Sequence, residues 1–136
     1  MIIMDKLLFF SCEALHRAVD PLMTIAYPVE QKFNELYAKK YSSEKLKSIA
    51  IIFICTNEDM LTREFYHERR YISWKNNYAD IRLQIPYEQF WRSDKETQKQ
   101  MIWDVIKKAI DYIRQRKALL QIDEFENDLK ICYWNI

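Results

Sequence analysis

The sequence predicts a single α+β domain over residues 1–136, with a four-stranded antiparallel or mixed sheet and its helices packed on one face. Three observations predict it: a β-branched apolar run at Ser48–Thr56, a hairpin pattern around Asn76 and Asn77, and a helical apolar stripe beginning near Ile102. The predicted order of elements is β-α-β-β-β-α-α. A chain of 136 residues fits one domain, and its content of 49% apolar and 30% charged residues is typical of a globular protein.

The first two predicted elements are a strand and a helix. Lys6–Cys12 is largely apolar on both faces, which suits a strand that is covered on both sides. Asp20 and Pro21 favour a helix start, because Asp caps helices and Pro fits the first helical position. The helical spacing of apolar residues then continues to about Tyr41. Pro28 either kinks this helix or begins a second one.

The middle of the chain begins with the strongest strand pattern. Ser48–Thr56 reads SIAIIFICT, and its β-branched apolar composition predicts a central strand. Asn57–Arg63 is polar and is interpreted as a loop or a short helical turn. This segment separates the central strand from the hairpin that follows.

A hairpin is predicted from Tyr66–Trp74 and Tyr78–Ile85. Asn76 and Asn77 suit its two-residue turn, because asparagine tolerates positive φ at both central positions. The alternation of apolar and polar residues then sets the register. The predicted cross-strand pairs are Trp74 with Ala79, Ile72 with Ile81, and Arg70 with Leu83.

The last third of the chain is predicted to be helical. Ser93–Glu96 is interpreted as a capping box that opens a long helix ending at about Lys117. Apolar residues at helical spacing form its buried stripe: Ile102, Val105, Ile106, Ala109, Ile110 and Ile113. A shorter closing helix is predicted from three further apolar residues, Ile122, Phe125 and Leu129. A strand over Lys130–Trp134 is the alternative for its second half.

The composition excludes several classes of function. The chain contains no glycine, so it has neither the phosphate-binding P-loop nor the glycine-rich fingerprint of dinucleotide-binding folds. Its 21 basic and 20 acidic residues give a net charge of +1, which provides no overall field for nucleic acid or an anionic membrane. A local charged patch remains compatible with this balance.

The histidines and cysteines do not form a recognisable metal or catalytic motif. His16 and His67 lie on different predicted elements, and no spacing typical of zinc ligands surrounds them. Cys12, Cys55 and Cys132 are widely spaced, and we interpret them as small buried apolar residues. We therefore predict no metal and no cofactor. A small enzyme with a dispersed acid/base or thiol site at Cys12 or His67 remains an alternative.

Carboxylate pairs occur at three places in the chain: Glu58-Asp59, Asp123-Glu124 and Glu126-Asp128. Paired carboxylates act as acid and base only in a cleft that separates their pKa values. These pairs sit among polar residues, so we interpret them as solvated. We predict no catalytic residues and no enzymatic activity.

A protein-binding surface is predicted on the polar face of the hairpin and in the loop before it. Tyr, Trp and Arg contribute strongly to protein interfaces, and this chain is 15% aromatic. The loop contributes Glu58 and Asp59 to the predicted surface. The hairpin face contributes Arg69, Tyr71, Asp80, Arg82 and Gln84.

Binding of single-stranded nucleic acid is a further alternative. Tyr66–Tyr71 mixes basic and aromatic residues, and such mixtures can stack bases while contacting phosphate. Arg69, Arg70 and Arg82 would supply the positive charge. Glu68 and other nearby acidic residues dilute that charge, so we expect no nucleic-acid partner.

The termini and cysteines predict a cytoplasmic protein. Met1–Phe10 is apolar but lacks the basic start and small-residue cleavage site of a signal peptide. Ile49–Cys55 is the longest apolar run near the middle of the chain and is far shorter than the ~20 residues that span a membrane. An odd number of widely spaced cysteines indicates reduced thiols in a cytosol.

The hairpin and the segment after it resemble a known family. The run Arg69–Ser73, the strand Tyr78–Ile85, the segment Tyr87–Phe90 and the helix start Ser93–Glu96 together resemble the immunity protein 44 family of bacterial polymorphic toxin systems. In that family a strand of the form ADIRL-I-Y--F leads into a helix of the form D-E-QK-M. The resemblance covers roughly residues 49–115. It implies a cytoplasmic protein that neutralises a cognate toxin by direct binding, with no catalytic residues to carry over.

Overall fold

The structure is a computed structural model that describes residues 6–14, 20–43, 45–56 and 72–135. Its elements follow the predicted order with one additional short helix. They are β1 (Leu8–Ala14), α1 (Asp20–Tyr41), β2 (Ser48–Thr56), β3 (Ile72–Lys75), β4 (Tyr78–Pro86), α2 (Tyr87–Arg92), α3 (Lys95–Arg116) and α4 (Ile122–Trp134). The predicted α+β class is confirmed, and the additional element is the six-residue α2.

The four strands form one mixed sheet in the order β1-β2-β4-β3. β1 and β4 both run parallel to β2, and β3 runs antiparallel to β4 as its hairpin partner. β2 is therefore an inner strand, as its continuous apolar sequence predicted. α1 lies between β1 and β2 in the chain and forms the crossover that their parallel pairing requires.

The hairpin follows the predicted register wherever the structure describes it. Asn76 and Asn77 have φ values of 55° and 66°, as a two-residue turn with positive φ at both positions requires. The pairs Trp74–Ala79 and Ile72–Ile81 are both present. The predicted pairing of Arg70, and the rest of the first hairpin strand before residue 72, lie outside the described residues.

The first strand lies two residues later than predicted. The prediction of Lys6–Cys12 rested on apolar residues alone, whereas the strand is defined by a ladder that pairs Leu8 with Ile49 and ends at Ala14. Leu7 is fully buried but precedes the strand. Burial and strand pairing therefore begin at different residues here.

Pro28 does not begin a second helix, because α1 is one helix from Asp20 to Tyr41 with Pro28 inside it. Proline removes one backbone donor from a helix. The apolar side of α1 continues through this point, since Ala26, Val29 and Phe33 are all buried. Their packing stabilises the helix across the proline.

The predicted cap of the long helix is wrong by one residue. The N-cap of α3 is Asp94, whose side chain accepts the backbone N–H of Thr97 at 2.8 Å. Ser93 instead ends α2, where its hydroxyl donates to the carbonyl of Gln89 at 2.6 Å. The C-cap of α3 is Lys117, which adopts a left-handed φ of 56° where many helices use glycine. The predicted apolar stripe of α3 is buried throughout.

The closing segment is a helix over its whole length, so the alternative strand at Lys130–Trp134 is wrong. α4 runs from Ile122 to Trp134 and buries one side, which includes Phe125, Leu129 and Tyr133. The Tyr133 hydroxyl donates to the carbonyl of Lys99 at 2.5 Å, which joins α4 to α3. Burial on one side at helical spacing explains why this segment folds as a helix.

One face of the sheet, here called the helix face, forms the core. α1 contacts β1, α3 contacts β4, and α4 contacts both of these helices. At the junction of α1 and α4, the ring of Phe125 lies 5.2 Å from Phe33 and 5.3 Å from Tyr41 in edge-to-face contacts. The helix face of β2 contributes alternate residues to the core: Ile49, Ile51, Phe53 and Cys55.

Side chains of α1 cover the free edge of β1. Asn34 accepts the N–H of Leu8 at 2.9 Å and donates to the carbonyl of Leu8 at 2.8 Å. Glu30 accepts the N–H of Phe10 at 2.5 Å, and both polar side chains are buried. Edge strands otherwise present unpaired backbone groups to other chains. These two side chains take the positions that a fifth strand would fill.

Candidate protein-binding face

The face of the sheet opposite the helices, here called the outer face, carries most of the polar side chains of the strands. The parallel register places Ser11, Ile52 and Arg82 side by side across three strands. The next row holds Glu13, Ile54 and Gln84. The row on the other side holds Phe9, Ala50, Asp80 and Ser73. Acidic, basic, amide and apolar groups therefore alternate over a short distance on this face.

An ion pair crosses the centre of the outer face. The Nε of Arg82 on β4 lies 3.0 Å from the Oε1 of Glu13 on β1. β2 lies between these two strands, so the pair passes above it. Ile52 and Ile54, the residues beneath, are each only 7% exposed although they point away from the core. The ion pair itself is partly exposed and adds little stability.

The structure places three of the seven predicted contact residues on this face. Asp80, Arg82 and Gln84 occupy alternate positions of β4 and are partly exposed. Their common orientation agrees with the predicted polar side of the hairpin. The other four lie outside the described residues: Arg69, Tyr71, Glu58 and Asp59.

Glu13 also belongs to this face, although the sequence pattern did not predict it. The polar side chains of Ser11 and Glu13 alternate with Phe10, which is buried, and Cys12, which packs against the core. This alternation is the pattern that would have revealed them. The predicted strand ended at Cys12 and so left Glu13 out. The contact between Glu13 and Arg82 also depends on the order of the strands in the sheet, which local sequence patterns do not reveal.

The three cysteines are free thiols, and two of them are in contact. Cys12 and Cys55 lie on adjacent parallel strands and point to the helix face. The hydrogen bond between the two thiols lowers the pKa of Cys55, which is buried. The same bond, with burial acting in the same direction, raises the pKa of the Cys12 thiol. A nucleophilic cysteine needs the opposite shift, toward the thiolate. This geometry does not favour the alternative thiol site at Cys12, while His67 lies outside the described residues.

Several acidic side chains of α4 form ion pairs with neighbouring helices. Lys107 of α3 binds Glu126 of α4, and Arg114 lies 3.1 Å from Asp123. These contacts involve two of the three carboxylate pairs noted in the sequence, and they join α3 to α4. Among the described residues, no group of three or more His, Cys, Asp or Glu side chains is arranged to hold a metal ion.

Comparison with known proteins identifies a family for almost the whole chain. The family model described as Immunity protein 44 matches residues 6–133. The match extends beyond the hairpin region to β1, α1 and α4, where the sequence resemblance was weak. No curated protein and no solved structure matches the chain significantly. Within the described residues, no helix combines the length and apolar character needed to cross a membrane.

Proposed function

We propose a function from one premise, which is that this chain belongs to the immunity protein 44 family. We infer that it neutralises a cognate bacterial polymorphic toxin by binding the toxin domain directly. The family match over residues 6–133 is the observation that carries this proposal. The chain would act by covering the active site of the toxin or the path of its substrate. An interface of standard size, about 1,600 Å² in total, is sufficient for such a complex.

The outer face is the surface that we propose for toxin contact. Interfaces between soluble partners combine polar and apolar groups in proportions close to those of ordinary protein surface. The outer face has this mixed character, since the partly exposed Asp80, Arg82 and Gln84 share it with the exposed aromatic ring of Tyr78. The sequence-predicted residues Arg69 and Tyr71, and the acidic pair Glu58-Asp59, are proposed as further contacts.

The cytoplasm of the bacterium that makes the toxin is the proposed compartment. An immunity protein protects the producing cell, so it must meet the toxin inside that cell. The free thiols of Cys12, Cys55 and Cys132 suit a reducing environment. The proposal includes no cofactor, because steric occlusion needs none.

Co-expression tests the function directly. The toxin domain encoded beside the gene for this chain is expressed from an inducible promoter, with and without the chain, and growth is measured. We expect growth to be restored by the chain and a stable complex to be recovered by gel filtration. Continued growth arrest, with the chain present and folded, would refute the proposal.

A matched pair of double variants tests the contact surface. Tyr71→Ala with Arg82→Ala is compared with Tyr27→Ala with Lys32→Ala, which removes one aromatic and one basic side chain from exposed positions of α1. We expect the first pair to raise the Kd for the toxin domain about tenfold or more, since Tyr and Arg are frequent interface anchors. Circular dichroism and thermal unfolding confirm that each variant is folded. Equal Kd values for the two pairs would place the interface elsewhere.

A further inference from the structure

Five basic side chains surround the end of the sheet where the hairpin turns. We call this surface the basic end and define it as Lys45, Lys47, Lys75, Arg116 and Lys117. The first two lie between α1 and β2, the third ends β3, and the last two end α3. The N–H of Lys47 donates to the carbonyl of Asn77 at 2.8 Å, which ties the α1–β2 connection to the hairpin turn. Three separate segments thus bring their charges to one place.

The lysines of the basic end have no acidic partners among the described residues. Lys40, Lys107 and Arg114 on the helices each contact at least one carboxylate. Lys45, Lys47, Lys75 and Lys117 form no such ion pair within the described part of the chain. In a chain whose net charge is only +1, this concentration of unpaired charge is a local asymmetry. Such a patch attracts an oppositely charged surface and raises its association rate.

A groove with an aromatic wall lies within the basic end. Its volume is about 170 Å³, and Leu46, Trp74, Tyr78 and Ala118 supply its apolar lining. The guanidinium carbon of Arg116 lies 5.3 Å from the centre of the Trp74 ring, which is within the range of a cation–π contact. Tyr78 is 47% exposed. Aromatic residues beside arginine are the usual composition of an interface anchor.

The basic end is continuous with the outer face. Tyr78 and Asp80 are two residues apart on β4, so their side chains point to the same side of the sheet. Tyr78 also lines the groove. Lys75 is its cross-strand partner and shares that side. One partner can therefore contact the outer face and the groove at once.

We propose that the basic end docks a carboxylate-rich segment of the toxin domain. This inference rests on the proposed function and names the chemistry of the partner at one part of the interface. The lysines steer the acidic segment, and the groove receives an apolar or aromatic side chain from it. A protein partner is favoured over nucleic acid because Asp80 on the adjoining outer face would repel a phosphate backbone, whereas a protein can present a cation to it.

A charge-reversal experiment tests the inference. The triple variant Lys45→Glu, Lys47→Glu, Lys75→Glu is compared with Lys32→Glu, Lys95→Glu, Lys130→Glu, which changes the net charge equally at exposed helix positions. Association with the toxin domain encoded beside the gene is followed by stopped-flow fluorescence at low and high salt. We expect the first triple to slow association about tenfold or more at low salt and to abolish most of the salt dependence. We expect Tyr78→Ala to speed dissociation about tenfold with little effect on association.

The outcomes separate this inference from the proposed function. If wild-type chain neither binds nor neutralises the toxin domain, the function itself fails and the inference falls with it. If wild type neutralises the toxin but the two triple variants associate at the same rate, only the docking inference is overturned. Binding of a single-stranded oligonucleotide through the same three lysines, in preference to the toxin domain, would also overturn it and would assign the patch to nucleic acid.

Discussion

Replacing Asn34 by alanine tests whether α1 completes the sheet at the free edge of β1. The Oδ1 of Asn34 accepts the N–H groups of Leu7 and Leu8 at 3.0 and 2.9 Å. Its Nδ2 donates to the carbonyl of Leu8 at 2.8 Å. Asn34 is 5% exposed and both leucines are fully buried. Alanine would therefore leave two N–H groups and one carbonyl without their partner, in a place where water has little access.

The expected loss of stability follows from these three groups. A buried polar group without a partner costs about 1–3 kcal/mol. The lower end applies here, because the edge of a sheet can move outward and admit water. We expect Asn34→Ala to lower the free energy of unfolding by about 3 kcal/mol. Small domains are stable by about 5–15 kcal/mol, so the variant should fold and remain measurable.

Urea denaturation followed by circular dichroism measures this loss. The control is Glu35→Ala, at an exposed position of the same helix one residue away. Amide hydrogen exchange of Leu7 and Leu8 measures the local effect. We expect both amides to exchange faster in Asn34→Ala than in the wild type, and to be unchanged in Glu35→Ala. If the unfolding free energies of the two variants agree within about 0.5 kcal/mol, the side chain does not complete the sheet as we infer.

Two further predictions concern pH. The N–H of Thr97 holds the pKa of Asp94 below its usual range. The stabilisation by this cap is therefore fully present above the ordinary aspartate pKa, and it is lost as the pH falls through the lowered pKa. Asp94→Ala should lower the Tm clearly at neutral pH and only slightly in acid. Asp94→Ser should retain the Tm of the wild type at neutral pH. Equal losses of Tm at both pH values for Asp94→Ala would contradict this role of the cap. Burial and the hydrogen bond to Asp128 raise the pKa of Tyr41 to about 12. The protonated hydroxyl therefore stabilises the fold below the ordinary tyrosine pKa of about 10. This contribution is lost as the pH rises through about 12. Urea denaturation at pH 8 and pH 11 should show a smaller alkaline loss for Tyr41→Phe than for wild type, and an equal loss would exclude this tyrosine as the cause.

The parts of the fold that local chemistry determines were predictable from the sequence. β2 has the predicted bounds because most residues between Ser48 and Thr56 are β-branched or aromatic, and such residues favour a buried strand. The hairpin register was predictable because Asn76 and Asn77 define the turn and the alternation defines the faces. The stripe of α3 was equally clear, since its apolar residues repeat at helical spacing over several turns.

The predicted and observed elements differ where contacts with a remote segment, or competition between neighbouring residues, determine the structure. The bounds of β1 depend on its ladder with β2, which its own composition does not encode. Ser93 and Asp94 are both good caps, and the short α2 that was not predicted takes the first of them. The strand propensity of Ile131 and Tyr133 favoured the alternative at the C-terminus, but packing against α1 and α3 made that segment helical.

The candidate surfaces were likewise predictable from the sequence only in part. Asp80, Arg82 and Gln84 share a face because they alternate within one strand, and alternation is visible in a sequence. The contact between Glu13 and Arg82 needs β2 to lie between their strands, which only the strand order reveals. The basic end is assembled from three segments that are distant in sequence, so no single stretch of the chain contains its pattern.

The covered edge of β1 limits how another molecule can recognise this chain. Asn34 and Glu30 already occupy backbone groups at that edge, so a foreign strand cannot extend the sheet there without displacing them. Along Leu8–Phe10, where these hydrogen bonds lie, recognition must then use side chains rather than the main chain. Side chains can be exchanged one at a time while the hydrogen bonds of the sheet stay intact. Such an arrangement lets binding preference diverge between relatives on an unchanged scaffold.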